Sequence, residues 1–191
     1  MEKEVKITIL GDILCQKELD LEHNKNFLRD VKKYLNDSDY VIGNLETPIS
    51  EDKEDIREGL YRFTAPIEFV KILKDAGVDF VSTANNHCLD NGVEGIDKTI
   101  WALDKVGLEH TGTFVSNKKD FIKMVGDKKI GIISYTYGTN AFFNKIYLNE
   151  DERNKVNLSQ EQERSGNKYI EFLRSIFGKD GLSCLNRPVY E

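Results

Sequence analysis

The chain has 191 residues, 39% hydrophobic and 31% charged, with a formal net charge of −6. That is enough chain for one domain, residues 1–191, with a real core, and the acidic balance argues against a nucleic-acid-binding surface, which needs clustered Lys and Arg. It does not exclude anionic ligands, because a bound cation overrides the global charge locally.

No apolar run approaches the roughly 18 residues of a membrane span. The start, Met1 to Val5, has no apolar signal core, so the chain as written reads as cytoplasmic. A chain trimmed of an export segment would read the same. Cys15, Cys88 and Cys184 form an odd set without CxxC spacing. They read as small buried or half-buried thiols rather than as a disulfide framework or a zinc site.

Val5 to Leu10 alternates and is β-branched, which predicts a strand stopping at Gly11-Asp12. Phe27, Leu28, Val31 and Leu35 stand at helical spacing, predicting a helix over 26–35. Tyr40 to Gly43 is a short apolar strand that runs into Asn44-Leu45-Glu46, with Pro48 breaking the pairing. Glu51 to Glu58 is a charged run without period, read as a solvated loop or weak helix.

Thr64-Ala65-Pro66 starts a helix whose buried face is Phe69, Val70, Leu73 and Ala76, with Gly77 closing it in the left-handed conformation. Val78 to Thr83 is the next strand, and Ala84 to Asn91 a polar loop. Val93, Ile96, Ile100, Leu103 and Val106 make an amphipathic helix ended by Gly107, with Trp101 on it expected to be partly buried. Leu108 to Thr111 is another strand. Phe121 to Val125 and Ile130 to Tyr135 flank Gly126-Asp127-Lys128-Lys129 as a β-hairpin. Tyr135 to Asn140 is a turn-rich exit and 149–168 a polar loop. Tyr169 to Phe177 suggests a last helix before an irregular tail.

This strand–loop–helix rhythm implies an α/β fold with a largely parallel sheet covered by helices. Right-handed crossovers put the C-terminal strand ends on one edge, where such sheets bind ligands. Three polar clusters follow strands directly: Gly11-Asp12, Asn44-Leu45-Glu46 and Asn85-Asn86-His87. Carboxylate, carboxamide and imidazole are hard or borderline ligands that suit Mn, Fe, Zn or Mg. Taken singly, each has a plainer reading: a turn residue for Asp12, Asn44 or Asn86, and a satisfied structural histidine for His87. Their shared placement at strand ends argues for the functional one. Asp90, three residues after His87, reads equally as a cap of the following helix and as the carboxylate that orients the His87 ring. His110 reads as a half-buried strand-end residue and His23 as exposed. The sequence lacks GxGxxG, the P-loop pattern and GxSxG. Cys88 sits beside His87, but loop neighbours seldom point at each other, which disfavours a cysteine nucleophile.

At these residues the chain resembles a known family. Ile9-Leu10-Gly11-Asp12, Gly43-Asn44-Leu45-Glu46-Thr47-Pro48 and Ala84-Asn85-Asn86-His87-Cys88-Leu89-Asp90-Asn91-Gly92 are similar to motifs of the CapA family. These are capsule and poly-γ-glutamate synthesis proteins with a calcineurin-like metallophosphatase fold. Ala76-Gly77-Val78-Asp79, Thr111-Gly112-Thr113 and the stretch from Gly131 to Asn140 extend the likeness, which covers about residues 5–160. The resemblance implies a metallophosphatase-like sandwich. It implies that Asp12, Glu46 and Asn86 bind one or two divalent metals. It also implies that His87 acts as general acid or electrostatic stabiliser, with two metals activating a bridging hydroxide.

The pattern departs from metallophosphatases in two places. Asp12 is followed by Ile13 and Leu14 where Asp-x-His is usual, and no histidine follows His110. The chain therefore reads either as a piece of a longer protein or as a natural short form, with one sheet incomplete. Three functions stay open: a metal-dependent phosphoesterase-like enzyme, a non-catalytic factor that binds an anionic polymer or small molecule, and a fragment without independent function. The apolar load of the hairpin, more than one face can bury, predicts self-association through an open sheet edge.

Overall fold

The computed structural model describes residues 4–15, 21, 26–51, 62–116, 118 and 121–162. The expected helix over Tyr169 to Phe177, Cys184, His23 and most of the charged run after Glu51 lie outside them. In chain order the elements are β1 (Ile7–Ile13), α1 (Arg29–Leu35), β2 (Tyr40–Leu45), α2 (Ile67–Ala76), β3 (Phe80–Ser82), α3 (Gly92–Val106), β4 (Glu109–Thr111), β5 (Phe121–Val125), β6 (Lys128–Ile132) and the single turn α4 (Ala141–Asn144). A 3-10 turn over Arg153–Lys155 follows.

Strands β1 to β4 form one sheet in the order β1-β2-β3-β4. All three pairings are parallel, as the strand–helix alternation predicts. Each crossover joins nearest neighbours, so the helices gather on one face. The sheet's alternation separates two cores. Val41 and Val81 point into a cluster with Leu35, Phe69, Val70, Leu73 and Leu103 under the helices. Tyr40 and Phe80, one residue earlier on each strand, point the other way and meet Val125, Phe121, Ile130 and Ile132 of the hairpin. The antiparallel β5–β6 pair thus lies over the second face of the sheet.

Helix α2 begins after Pro66, whose extended backbone (ψ 164) delivers the chain into the first turn. It ends at Gly77, whose φ of 107 lets its N–H reach back to the carbonyls of Leu73 and Lys74. Gly112 answers a different demand. Its φ is +118, and a Cβ there would sit 2.6 Å from both the Ala84 backbone nitrogen and Ser134 Oγ. It is the point where the backbone after β4 passes the Ala84 backbone and the Ser134 hydroxyl with no room for a side chain.

Two open readings are narrowed here. Trp101 is 50% exposed, with the Lys105 ammonium 4.2 Å from its ring centre. The buried stripe of α3 runs through Ile96, Ile100 and Leu103 and leaves Trp101 at its border, so the cost of removing a fully packed indole does not apply. Asp90 does not cap α3; Asn91 holds that position, without a side-chain capping bond. The hairpin splits as its alternation requires. Phe121, Ile130 and Ile132 face the sheet, whereas Ile122 (57%), Met124 (56%) and Ile133 (83%) stay open to solvent. A third core, built on Leu89, Ile96, Ile100, Leu148 and Val156, fastens the 146–158 segment to α3.

Candidate functional site

The register carries polar side chains across the C-terminal edge of the sheet. Asp12 pairs with Asn44, Asn44 with Ser82, and Ser82 with Thr111. The β1–β2 register shifts between Ile9 and Asp12, and such irregularities re-aim side chains beside functional sites. The Asn44 carboxamide links the row: its Nδ2 donates to Asp12 Oδ1 at 2.7 Å, and its Oδ1 accepts from Ser82 Oγ at 3.0 Å.

Glu46 follows β2 immediately, its N–H bonded to Ile13 O at 2.9 Å, so its side chain stands beside Asp12. Burial first, then the charge of Asp12 and a hydrogen bond with it, raise the Glu46 pKa above the ordinary carboxylate value. A carboxyl raised on folding contributes stability that is fully present below its unfolded pKa and is lost as pH rises through the folded one. Glu46→Gln removes the crowded charge. The variant should therefore melt higher than the parent at about pH 7.5, with the gain gone below about pH 4. Thermal melts at both values check this, and an equal shift at the two would refute it.

The loop from Thr83 to Asn91 closes the other side. Asn85 pins it: its Nδ2 donates to Leu45 O at 2.8 Å and to Asn44 Oδ1 at 3.3 Å, and its Oδ1 accepts the His87 N–H at 3.1 Å. His87 is 8% exposed and Asp90 is fully buried. His87 Nδ1 lies 2.8 Å from Asp90 Oδ2. That oxygen also takes the Phe63 N–H at 2.9 Å, and Asp90 Oδ1 takes Asn144 Nδ2 at 2.9 Å. A carboxylate against Nδ1 assigns a ring proton to that nitrogen. Nε2 faces Glu46, 4.0 Å from Oε1. The Phe63 ring packs on the imidazole with centroids 4.4 Å apart.

The structure thus brings Asp12, Glu46, His87 and Asp90 to one edge of the sheet. Of the two readings of Asp90, the ring-orienting geometry is the one present. Asn86 lies in the same loop, partly exposed, and makes no hydrogen bond among the described residues. His110 sits half-buried in β4 and turns Nε2 to Asp104 at 3.2 Å, outside this hydrogen-bond network. Burial pushes the Cys88 thiol up to about 12 and the Cys15 thiol up to about 11, which makes both poor nucleophiles. Sequence reasoning placed no role on Asn85, Phe63, Arg62 or Asn144. Asn85 was within reach, being part of the Asn-Asn-His run; Asn144 has no local signal.

A parallel sheet between helices and a hairpin, with polar loops gathered at its C-terminal edge, is an α/β arrangement consistent with a metallophosphatase-like sandwich. The family model described as bacterial capsule synthesis protein PGA_cap matches residues 6–176, and the chain belongs to that family. It is similar to capsule biosynthesis protein CapA of Bacillus anthracis, 34% identical over 148 residues, which is 73% of this chain and 36% of that protein. It is also similar to PGA biosynthesis protein CapA of Bacillus subtilis (strain 168), 28% identical over 137 residues, 69% of this chain and 36% of that protein. The chain spans about a third of the length of these curated relatives. Among the described residues, no helix is long and apolar enough to cross a membrane.

Proposed function

We propose that the chain carries part of a metal-dependent phosphoester-hydrolysing site that serves capsule or poly-γ-glutamate synthesis. The observation that supports this most is the His87–Asp90 pair, whose free Nε2 is aimed at a crowded Asp12–Glu46 carboxylate pair. Two carboxyls pressed together, one with its pKa raised, form a donor set that a cation relieves. Asp12, Glu46 and the uncommitted carboxamide of Asn86 would hold it. When bound, a divalent cation supplies charge neutralisation and an acidified water. His87 holds a proton on Nδ1 through Asp90 and can take up or hand over another at Nε2.

The donor set is thin. Among the described residues, no three His, Cys, Asp or Glu side chains come together as a metal site. Metal binding by this chain is therefore expected to be weak and below one equivalent. Calorimetry with Mn²⁺ on the chain and on Asp12→Ala tests it. Weak heat that vanishes in the variant supports the reading. Identical traces for the two proteins would overturn it, and tight binding of two metals would overturn the expected weakness alone. The same thinness favours a second reading, a factor that binds an anionic polymer without turnover. With a net charge of −6 the chain would need a cation for that too. Retention of poly-γ-glutamate with Mn²⁺, without release of phosphate from an aryl phosphate, selects it.

A further inference from the structure

We infer that Asn144, held in place by Arg62, is a positioning residue that fixes the proton of His87 on Nδ1 and its ring toward Glu46. The chain of contacts is continuous. Asn144 is 8% exposed and donates through Nδ2 to Asp90 Oδ1 at 2.9 Å. Its own Oδ1 accepts from Arg62 Nε at 3.2 Å, and its backbone carbonyl accepts from Arg62 Nη2 at 3.2 Å. The guanidinium can only donate, so the carboxamide oxygen must face it and the amide nitrogen must face Asp90. The amide cannot flip without setting a donor against a donor.

The backbone around Asn144 is built for this placement. It closes α4, a single turn whose N–H of Asn144 returns to Asn140 O at 2.9 Å. Both flanking residues are left-handed, Asn140 at φ 51 and Lys145 at φ 58. Asparagine accepts that region readily; lysine does so at a cost, and such cost concentrates where a side chain must be delivered to one place. Ile146 and Leu148 then anchor the segment to α3.

With Asn144 on Oδ1, and His87 and Phe63 N–H on Oδ2, both oxygens of Asp90 are engaged and the carboxylate plane is set. Phe63, next to Arg62, holds the ring from the other side at 59°. Phe63 from one segment and Asn144 from another therefore hold the His87–Asp90 pair. For turnover the inference rests on the proposed role of His87; for the ring's placement it stands alone.

Nitrogen-15 NMR of the imidazole in the full chain tests it, with the His87 signal assigned by its loss in His87→Gln. The parent should show one tautomer, protonated on Nδ1. Asn144→Ala should lose that preference by on the order of tenfold, the size of one charge-assisted hydrogen bond. Arg62→Ala should move in the same direction by less, and Lys145→Gly, which relaxes the turn but keeps the carboxamide, should not move it. A folded Asn144→Ala with the parental His87 spectrum would overturn the inference, as would a parent protonated on Nε2. If Asn144→Ala does not fold, Arg62→Ala carries the same decision. Absent metal binding beside a single His87 tautomer would sink the proposed function and leave the positioning role standing.

Discussion

Replacing Asp90 by alanine is expected to cost the fold about 3–5 kcal/mol, the range for removing one partner of a buried charged network. Asp90 is fully buried and accepts three hydrogen bonds, from His87, the Phe63 backbone and Asn144. Its loss strands three donors at once, and each unsatisfied buried donor costs about 1–3 kcal/mol before the surroundings relax. Urea denaturation of the parent and Asp90→Ala measures it. Asp90→Asn, which keeps the volume and one acceptor, should lose less than Asp90→Ala. A loss under about 1 kcal/mol for alanine would mean that water replaces the carboxylate freely and that the network holds nothing together.

Phe80→Ala should cost a similar amount, about 3–5 kcal/mol, for another reason. Phe80 is fully buried on the strand between β2 and β4 and meets the Phe121 ring at 4.5 Å between centroids. With Tyr40 it forms the face on which the hairpin packs. Truncation removes a large apolar side chain and leaves a cavity that the short strand β3 cannot collapse. Phe80→Leu should lose much less, since volume is largely kept. If alanine at 80 left the denaturation midpoint unchanged, the hairpin would not be packed on that face.

The sheet edge was legible because parallel strands repeat one signal: a short apolar run that ends in polar residues. Asp12, Glu46 and His87 each stood at such an end, and the crossover rule alone brings those ends together. What remained hidden depends on offsets that periodicity does not encode. The Asp12–Asn44–Ser82 ladder exists because the β1–β2 register shifts between Ile9 and Asp12. Asp90 read equally as a helix cap and as the partner of His87; the neighbouring Asn91 takes the cap position, and the buried Asp90 carboxylate meets the His87 ring. Trp101 was expected to be partly buried beside the core residues Ile100 and Leu103, and the helical step of about 100° leaves the indole at the rim, half exposed. Asn144 left no trace at all. It stands 54 residues from Asp90, at the end of the single turn α4.

That separation has a consequence in time. A ribosome adds about 5–20 residues per second, so Asp90 is made roughly 3–10 seconds before the residue that satisfies its second oxygen. During synthesis strands β1 to β3 can pair, and the loop bearing His87 can close on Asn85, while one face of the carboxylate still waits in water. The site is therefore finished late and from outside, by a turn that docks on an edge already formed. A nascent chain halted before residue 140 would keep the His87 and Phe63 contacts on one carboxylate oxygen and present the other to water.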